Sequence, residues 1–201
     1  QTTGEKIEKL DFPKNGTISS ISAKPESSQL FLSFSNYIRP SEIFEYDLSV
    51  KQLKSIWSQS VPGFNADEFT SKQVFYKSKD GTLIPMFISH LNGIELNNDN
   101  PLLLYGYGGF DIPILPNFST KYFSWMKMGG IVAVANLRGG GEYGEKWHRQ
   151  GMLHNKQNVF DDFAAAAEYL HQEGYTQPSK TVIEGRSNGG LLVGASLLQR
   201  P

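Results

Sequence analysis

Thr181-Val182-Ile183-Glu184-Gly185-Arg186-Ser187-Asn188-Gly189-Gly190-Leu191-Leu192-Val193 is the stretch on which the fold turns. A short β-branched run meets a serine bracketed by glycines and passes directly into an apolar helical pattern. Strand, tight turn and helix, in that order, are the context required of a G-x-S-x-G nucleophile elbow. The glycines have a steric reason to be there, because such a turn strains the serine backbone and a Cβ on either side would run into strand or helix. A helix starting behind Ser187 aims its first amides, that of Asn188 among them, at the space where an oxyanion would form. Alone, the pentapeptide also fits a glycine-rich β-to-α turn of any doubly wound protein, so the rest of the chain decides.

Upstream, residues 101–105 and 130–135 are continuous apolar runs, the pattern of strands covered by helices on both faces. A helix is expected over 120–128 and a second over 158–173. In the second, Phe160, Phe163, Ala164, Ala167 and Leu170 form an apolar stripe, Asn158 caps, Asp161 and Asp162 suit the positive end, and Gly174 stops it. This alternation of strand and helix predicts an α/β sheet with parallel strands ending at the elbow. Before it, Asp80-Gly81-Thr82 between apolar runs 73–79 and 83–91 signals a hairpin, and 92–100 reads as a polar loop.

The front of the chain differs in character. Residues 17–23, 29–35, 42–48 and 52–57 are short strand-like runs separated by turn clusters such as Lys24-Pro25-Glu26-Ser27-Ser28 and Arg39-Pro40-Ser41. Alternation of Leu30, Leu32 and Phe34 predicts a half-buried antiparallel sheet the size of one propeller blade. No second copy of the pattern follows, and Val61-Pro62-Gly63-Phe64-Asn65 reads as a linker.

Composition narrows the function classes. Hydrophobic residues make up 39% and charged residues 19% of the 201, which is globular rather than disordered or coiled-coil. A formal charge of -1 argues against nucleic acid or an anionic membrane as partner. No run approaches the roughly 20 apolar residues of a membrane span. The absence of Cys excludes disulfides, thiolate zinc and a cysteine nucleophile, and fits a reducing, cytoplasmic setting. His90, His148, His154 and His171 lack metal-ligand spacing and read as surface or partly buried residues, His148 and His154 in a polar loop; no metal or cofactor is expected. Gln1 to Lys6 offers neither an initiator Met nor an apolar leader, so the chain is expected to be part of something longer.

Three glycine-rich stretches sit at the expected strand ends: Tyr105-Gly106-Tyr107-Gly108-Gly109-Phe110, Arg138-Gly139-Gly140-Gly141-Glu142-Tyr143-Gly144, and the elbow. With Asn155-Lys156-Gln157-Asn158 and Asp161-Asp162-Phe163 they resemble, in order and spacing, the catalytic domain of the prolyl oligopeptidase family. The resemblance implies an α/β-hydrolase sheet, incomplete in this chain, preceded by the last blade of a β-propeller. Residues 1–70 then end the propeller and 71–201 begin the catalytic domain. It further implies Ser187 as the acylated nucleophile, the Asn188 amide and the Tyr107 phenol as oxyanion donors, and Phe110 as a wall of the proline pocket. Short proline-containing peptides are the implied partners, and the full-length protein is expected to be a monomer.

The 138–144 loop has neither the Lys-Ser/Thr of a P-loop nor the G-x-G-x-x-G register of a dinucleotide fold, and reads as structural. Arg186 departs from the small residue often found before the serine. The triad order Ser, acid, His calls for partners after Ser187, yet 188–201 contain no Asp, Glu or His, so the chain alone is expected to be inactive. Two other readings remain open: an oligopeptidase B-like or related peptidase or esterase, and a non-catalytic hydrolase-fold binding module.

Overall fold

The computed structural model describes residues 9–201; the Gln1 to Lys6 stretch lies outside the described residues. Two sheets follow one another. The first contains β1 (Thr17–Ala23), β2 (Gln29–Asn36), β3 (Arg39–Asp47) and β4 (Gln52–Ser58), antiparallel in the order β1-β2-β3-β4. Leu32 and Phe34 point inward as their alternation requires.

One turn is displaced from its expected place. Arg39-Pro40-Ser41 is not a turn: the chain reverses at Tyr37-Ile38, where Asn36 Oδ1 accepts the Ile38 N–H at 2.9 Å, and β3 starts at Arg39. Pro40 is tolerated within the strand because the ladder is bulged there. Asn36 pairs with Arg39 but Phe34 pairs with Glu42, so Pro40 and Ser41 together face Ser35 and the missing N–H removes no rung.

The second sheet contains β5 (Phe69–Lys77), β6 (Leu83–Leu91), β7 (Leu102–Gly106), β8 (Ile131–Ala135) and β9 (Thr181–Glu184), in the order β5-β6-β8-β7-β9. It is mixed, with the expected hairpin joined to the parallel strands that lead to the elbow. The Asp80-Gly81 hairpin forces β5 and β6 antiparallel, and β6 also runs antiparallel to β8. The helical crossovers align β7 with β8 and with β9 in parallel.

Helix α1 (Thr120–Lys127) covers one face, with Met126 against Val132, Val134 and Phe87. On the other face α3 (Gln157–Gln172) and α4 (Asn188–Gln199) bury Phe163, Ala166 and Leu192 against Leu104 and Ala133. A short α2 (Glu145–Arg149) precedes α3 and carries His148, which is therefore helical rather than in a loop. Among the described residues no helix is long and apolar enough to cross a membrane.

Two details of α3 differ from expectation. Asn158 does not cap; it lies inside the helix and donates to the Gln150 carbonyl at 2.9 Å. The buried stripe is Val159, Asp162, Phe163, Ala166 and Leu170, rotated from the expected one so that it includes a carboxylate.

The blade leans on the second unit through Thr17, whose Oγ1 donates to the Pro116 carbonyl at 2.8 Å, and through Ser35 Oγ, which accepts the Phe118 N–H at 3.1 Å. Buried Tyr37 adds ring contacts with Phe87 and Tyr122.

Candidate active site

Strands β7 and β9 lie side by side with Tyr105 opposite Glu184, so the segments leaving their carboxyl ends emerge together. The chain after β7 reaches α1 on one face, whereas the chain after β9 enters α4 on the other. That divergence makes a topological switch point, the place where open α/β sheets form their crevice.

Ser187 sits there. Its backbone is at φ 57°, ψ -118°, a region that costs a non-glycine residue about 1–3 kcal/mol and persists only where surroundings impose it. The neighbours impose it: a Cβ on Gly185 would run into the Gly189 carbonyl, and one on Gly189 would lie 2.6 Å from the Gly106 carbonyl at the end of β7. The elbow is closed tightly on the β7 terminus, and Ser187 is left exposed. Among the described residues Ser187 Oγ has no hydrogen-bond partner. Three of the histidines are engaged elsewhere: His90 with the Leu91 carbonyl, His148 with the Gly139 carbonyl and His171 with Thr181 Oγ1.

Asn188 opens α4, where a backbone N–H has no partner inside the helix. Its side chain turns the other way, with Nδ2 donating to the Tyr107 carbonyl at 2.6 Å. Lys156 Nζ donates to the Gly108 carbonyl at 2.7 Å and to Asn188 Oδ1 at 3.3 Å. The segment after β7 is thereby strapped to the start of α4. Gly108 adopts φ +59° in contact with Val159, a conformation and a space that exclude a side chain.

Tyr107 is half-buried, and Phe110 stands 73% exposed. The turn from Gly109 to Ile112 closes with Ile112 N–H donating to the Gly109 carbonyl at 3.1 Å, and both central residues, Phe110 and Asp111, have positive φ. Two non-glycine residues in that region form a strained turn, held by the Asp111 N–H donating to the Gly139 carbonyl at 3.1 Å. Phe110, Lys156, Asn188, Met152 and Leu191 line a cleft of about 550 Å³. The sequence-derived residues Asn188 and Phe110 thus meet at one cleft, with Tyr107 joined to Asn188 through its carbonyl. Arg186 faces a different cleft, shared with Tyr105, Lys121, Tyr122 and Glu184.

The 138–144 loop is anchored from below. Arg138 and Asp162 are 2% and 0% exposed; Arg138 Nη2 and Nε donate to the carboxylate at 2.6 and 3.0 Å, and Ser78 Oγ donates to it at 2.6 Å. Arg138 Nη1 reaches on to Asp80 at 2.6 Å. Burial acts to raise the Asp80 pKa, but hydrogen bonds from Arg138 and Thr82 outweigh it and hold the carboxyl down at about 2. This network and the Lys156 strap escaped the sequence reading. The signal for the first was an Asp on a buried helical face together with an Arg ending an apolar run. For Lys156 no spacing rule points to its partners. Among the described residues no group of three or more His, Asp or Glu could hold a metal ion.

A strained, exposed serine between strand and helix at the switch point of a mixed sheet, behind a four-stranded antiparallel blade, defines an α/β-hydrolase-fold protein with a serine at its elbow. Two family models give the family: "Prolyl oligopeptidase family" matches residues 116–201, and "Prolyl oligopeptidase, N-terminal beta-propeller domain" matches residues 1–59. The chain belongs to the prolyl oligopeptidase family. It is 45% identical over 199 residues to a prolyl endopeptidase of Elizabethkingia miricola, covering 99% of this chain and 28% of that protein. It is 42% identical over 188 residues to the dual function macrocyclase-peptidase POPB of Amanita bisporigera, covering 92% and 26%. A solved prolyl endopeptidase structure superposes with a TM-score of 0.91 at 44% identity, over 98% of this chain and 29% of that one. The chain therefore spans a little over a quarter of the length of these relatives.

Proposed function

We propose that the full-length protein carrying this chain is a serine endopeptidase that hydrolyses short peptides on the carboxyl side of proline. Ser187 Oγ attacks the scissile carbonyl carbon and its proton passes to a general base. The tetrahedral oxyanion is received by the Asn188 N–H and the Tyr107 O–H, the amine leaves with the proton, and water releases the acyl group. The base comes from elsewhere in the full-length protein, since the described residues place no histidine or carboxylate in hydrogen-bond contact with Ser187. Phe110 offers a flat apolar ring at the mouth of the cleft, suited to pyrrolidine.

The observation that carries this reading is the strained, exposed Ser187 with the Tyr107–Phe110 segment strapped beside it, in a chain whose relatives are prolyl endopeptidases. The test is cleavage by the full-length protein of blocked peptides that differ only in the residue before the scissile amide. Proline should exceed alanine in kcat/KM by at least about 10–200-fold, the range a shaped apolar pocket supplies. A preference for arginine would instead favour the oligopeptidase B-like reading, and no cleavage by the full-length protein would favour the binding module.

A further inference from the structure

Lys156 lies in the Asn155-Lys156-Gln157-Asn158 motif and has no role in the reaction just described, yet its ammonium ends at the elbow. It leaves the start of α3, and its stem crosses the cleft edge near the Phe160 ring, with Nζ 5.9 Å from the ring centroid. The ammonium is half-buried, and burial lowers its pKa from the usual lysine value. Its donors go to the Gly108 carbonyl at 2.7 Å and to Asn188 Oδ1 at 3.3 Å. Asn188 Nδ2 in turn donates to the Tyr107 carbonyl at 2.6 Å. One cation therefore holds two successive carbonyls of the β7 exit, Gly108 directly and Tyr107 through Asn188, against the first residue of α4. By drawing on Oδ1 it also polarises the amide that grips Tyr107.

We propose that Lys156 is a positioning residue for the oxyanion site: it fixes the Tyr107 segment relative to α4, so that the Tyr107 O–H and the Asn188 backbone N–H address one point. This rests on the proposed reaction at Ser187. Lys156 acts through Tyr107 and Asn188 and touches no reacting atom. The Asn188 side chain is the relay, and its backbone N–H is separate from that function.

The test uses the full-length protein with the variants Lys156→Met, Asn188→Ala and the two combined. Asn188→Ala deletes the relay and keeps the backbone N–H. Two readouts are taken, kcat and KM on a proline-containing peptide and the rate at which a fluorophosphonate modifies Ser187, which needs the oxyanion site but not proline recognition. Each single variant should slow labelling and kcat by about 10–100-fold with KM within about threefold, the cost of misplacing one preorganised donor. The double variant should be no slower than the slower single one by more than about threefold, because both break the same link. Labelling of Lys156→Met at the wild-type rate, or losses that multiply in the double variant, would overturn the proposal. Should Lys156→Met fail to fold, Asn188→Ala alone decides, and its wild-type labelling rate would overturn it equally. If the wild-type protein labels at Ser187 but shows no proline preference, the substrate reading fails while the labelling rates still test Lys156. A wild type that does not label sinks both.

Discussion

Replacing Gly189 by Ala tests the elbow geometry most sharply. A Cβ at this position would lie 2.6 Å from the Gly106 carbonyl, where ordinary contact begins at 3.4 Å, so the backbones must separate by about 3.4 - 2.6 = 0.8 Å. Neither side can yield cheaply. Gly106 ends a strand hydrogen-bonded to β8, and Gly189 is one residue past Asn188, whose amide grips the Tyr107 carbonyl. A displacement near 1 Å at a catalytic group costs about 10²-fold in rate, and forcing a methyl into a closed contact destabilises by about 1–3 kcal/mol. In the full-length protein Gly189→Ala is therefore expected to lose about 100-fold in kcat/KM on a proline-containing peptide, mostly in kcat, with a modest loss of thermal stability. Gly190→Ala is the matched comparison: a Cβ there meets nothing within 4 Å and the residue lies in α4, so activity should stay near wild type. Activity of Gly189→Ala within twofold of wild type would refute the claim that the closed β7–α4 contact holds Ser187 in place.

Other perturbations probe other parts. Tyr107→Phe removes one proposed oxyanion donor and keeps the ring, so kcat should fall about 10²–10³-fold with little change in KM; an unchanged kcat would leave Tyr107 a packing role only. Asp162→Asn leaves the buried Arg138 guanidinium without its carboxylate and should cost about 3–5 kcal/mol by denaturant unfolding, whereas a loss under about 1 kcal/mol would contradict the burial of the pair. Asp80, with its pKa depressed to about 2, contributes stability that is present above the usual carboxylate range and lost as pH falls through that value. The stability gap between wild type and Asp80→Asn should therefore narrow between about pH 5 and pH 2, and a constant gap would argue against the Arg138 link.

Features encoded by neighbouring residues were legible in the sequence. The elbow, the Asp80-Gly81 hairpin and the continuous apolar runs of β7 and β8 each have a local cause: a glycine requirement, a turn type or two-sided burial. What could not be read rests on partners far along the chain. Asp162 looked like a charge for the start of α3 because Arg138 and Ser78, 24 and 84 residues away, are invisible to a helical pattern. The partners of Lys156 have no signal in the sequence for the same reason, lying 48 and 32 residues away. The Pro40 turn was misplaced because a bulge can absorb a proline that a regular ladder cannot. That β6 pairs with β8 rather than with β7, its successor in the chain, has no local signal.

The identity of the nucleophile is the claim on which the rest depends, and covalent labelling tests it directly. The full-length protein is treated with a fluorophosphonate, digested, and the adduct located by peptide mass mapping. A single adduct on Ser187, absent from Ser187→Ala, is the expected result. An adduct on another residue, or one that persists in Ser187→Ala, would contradict the account.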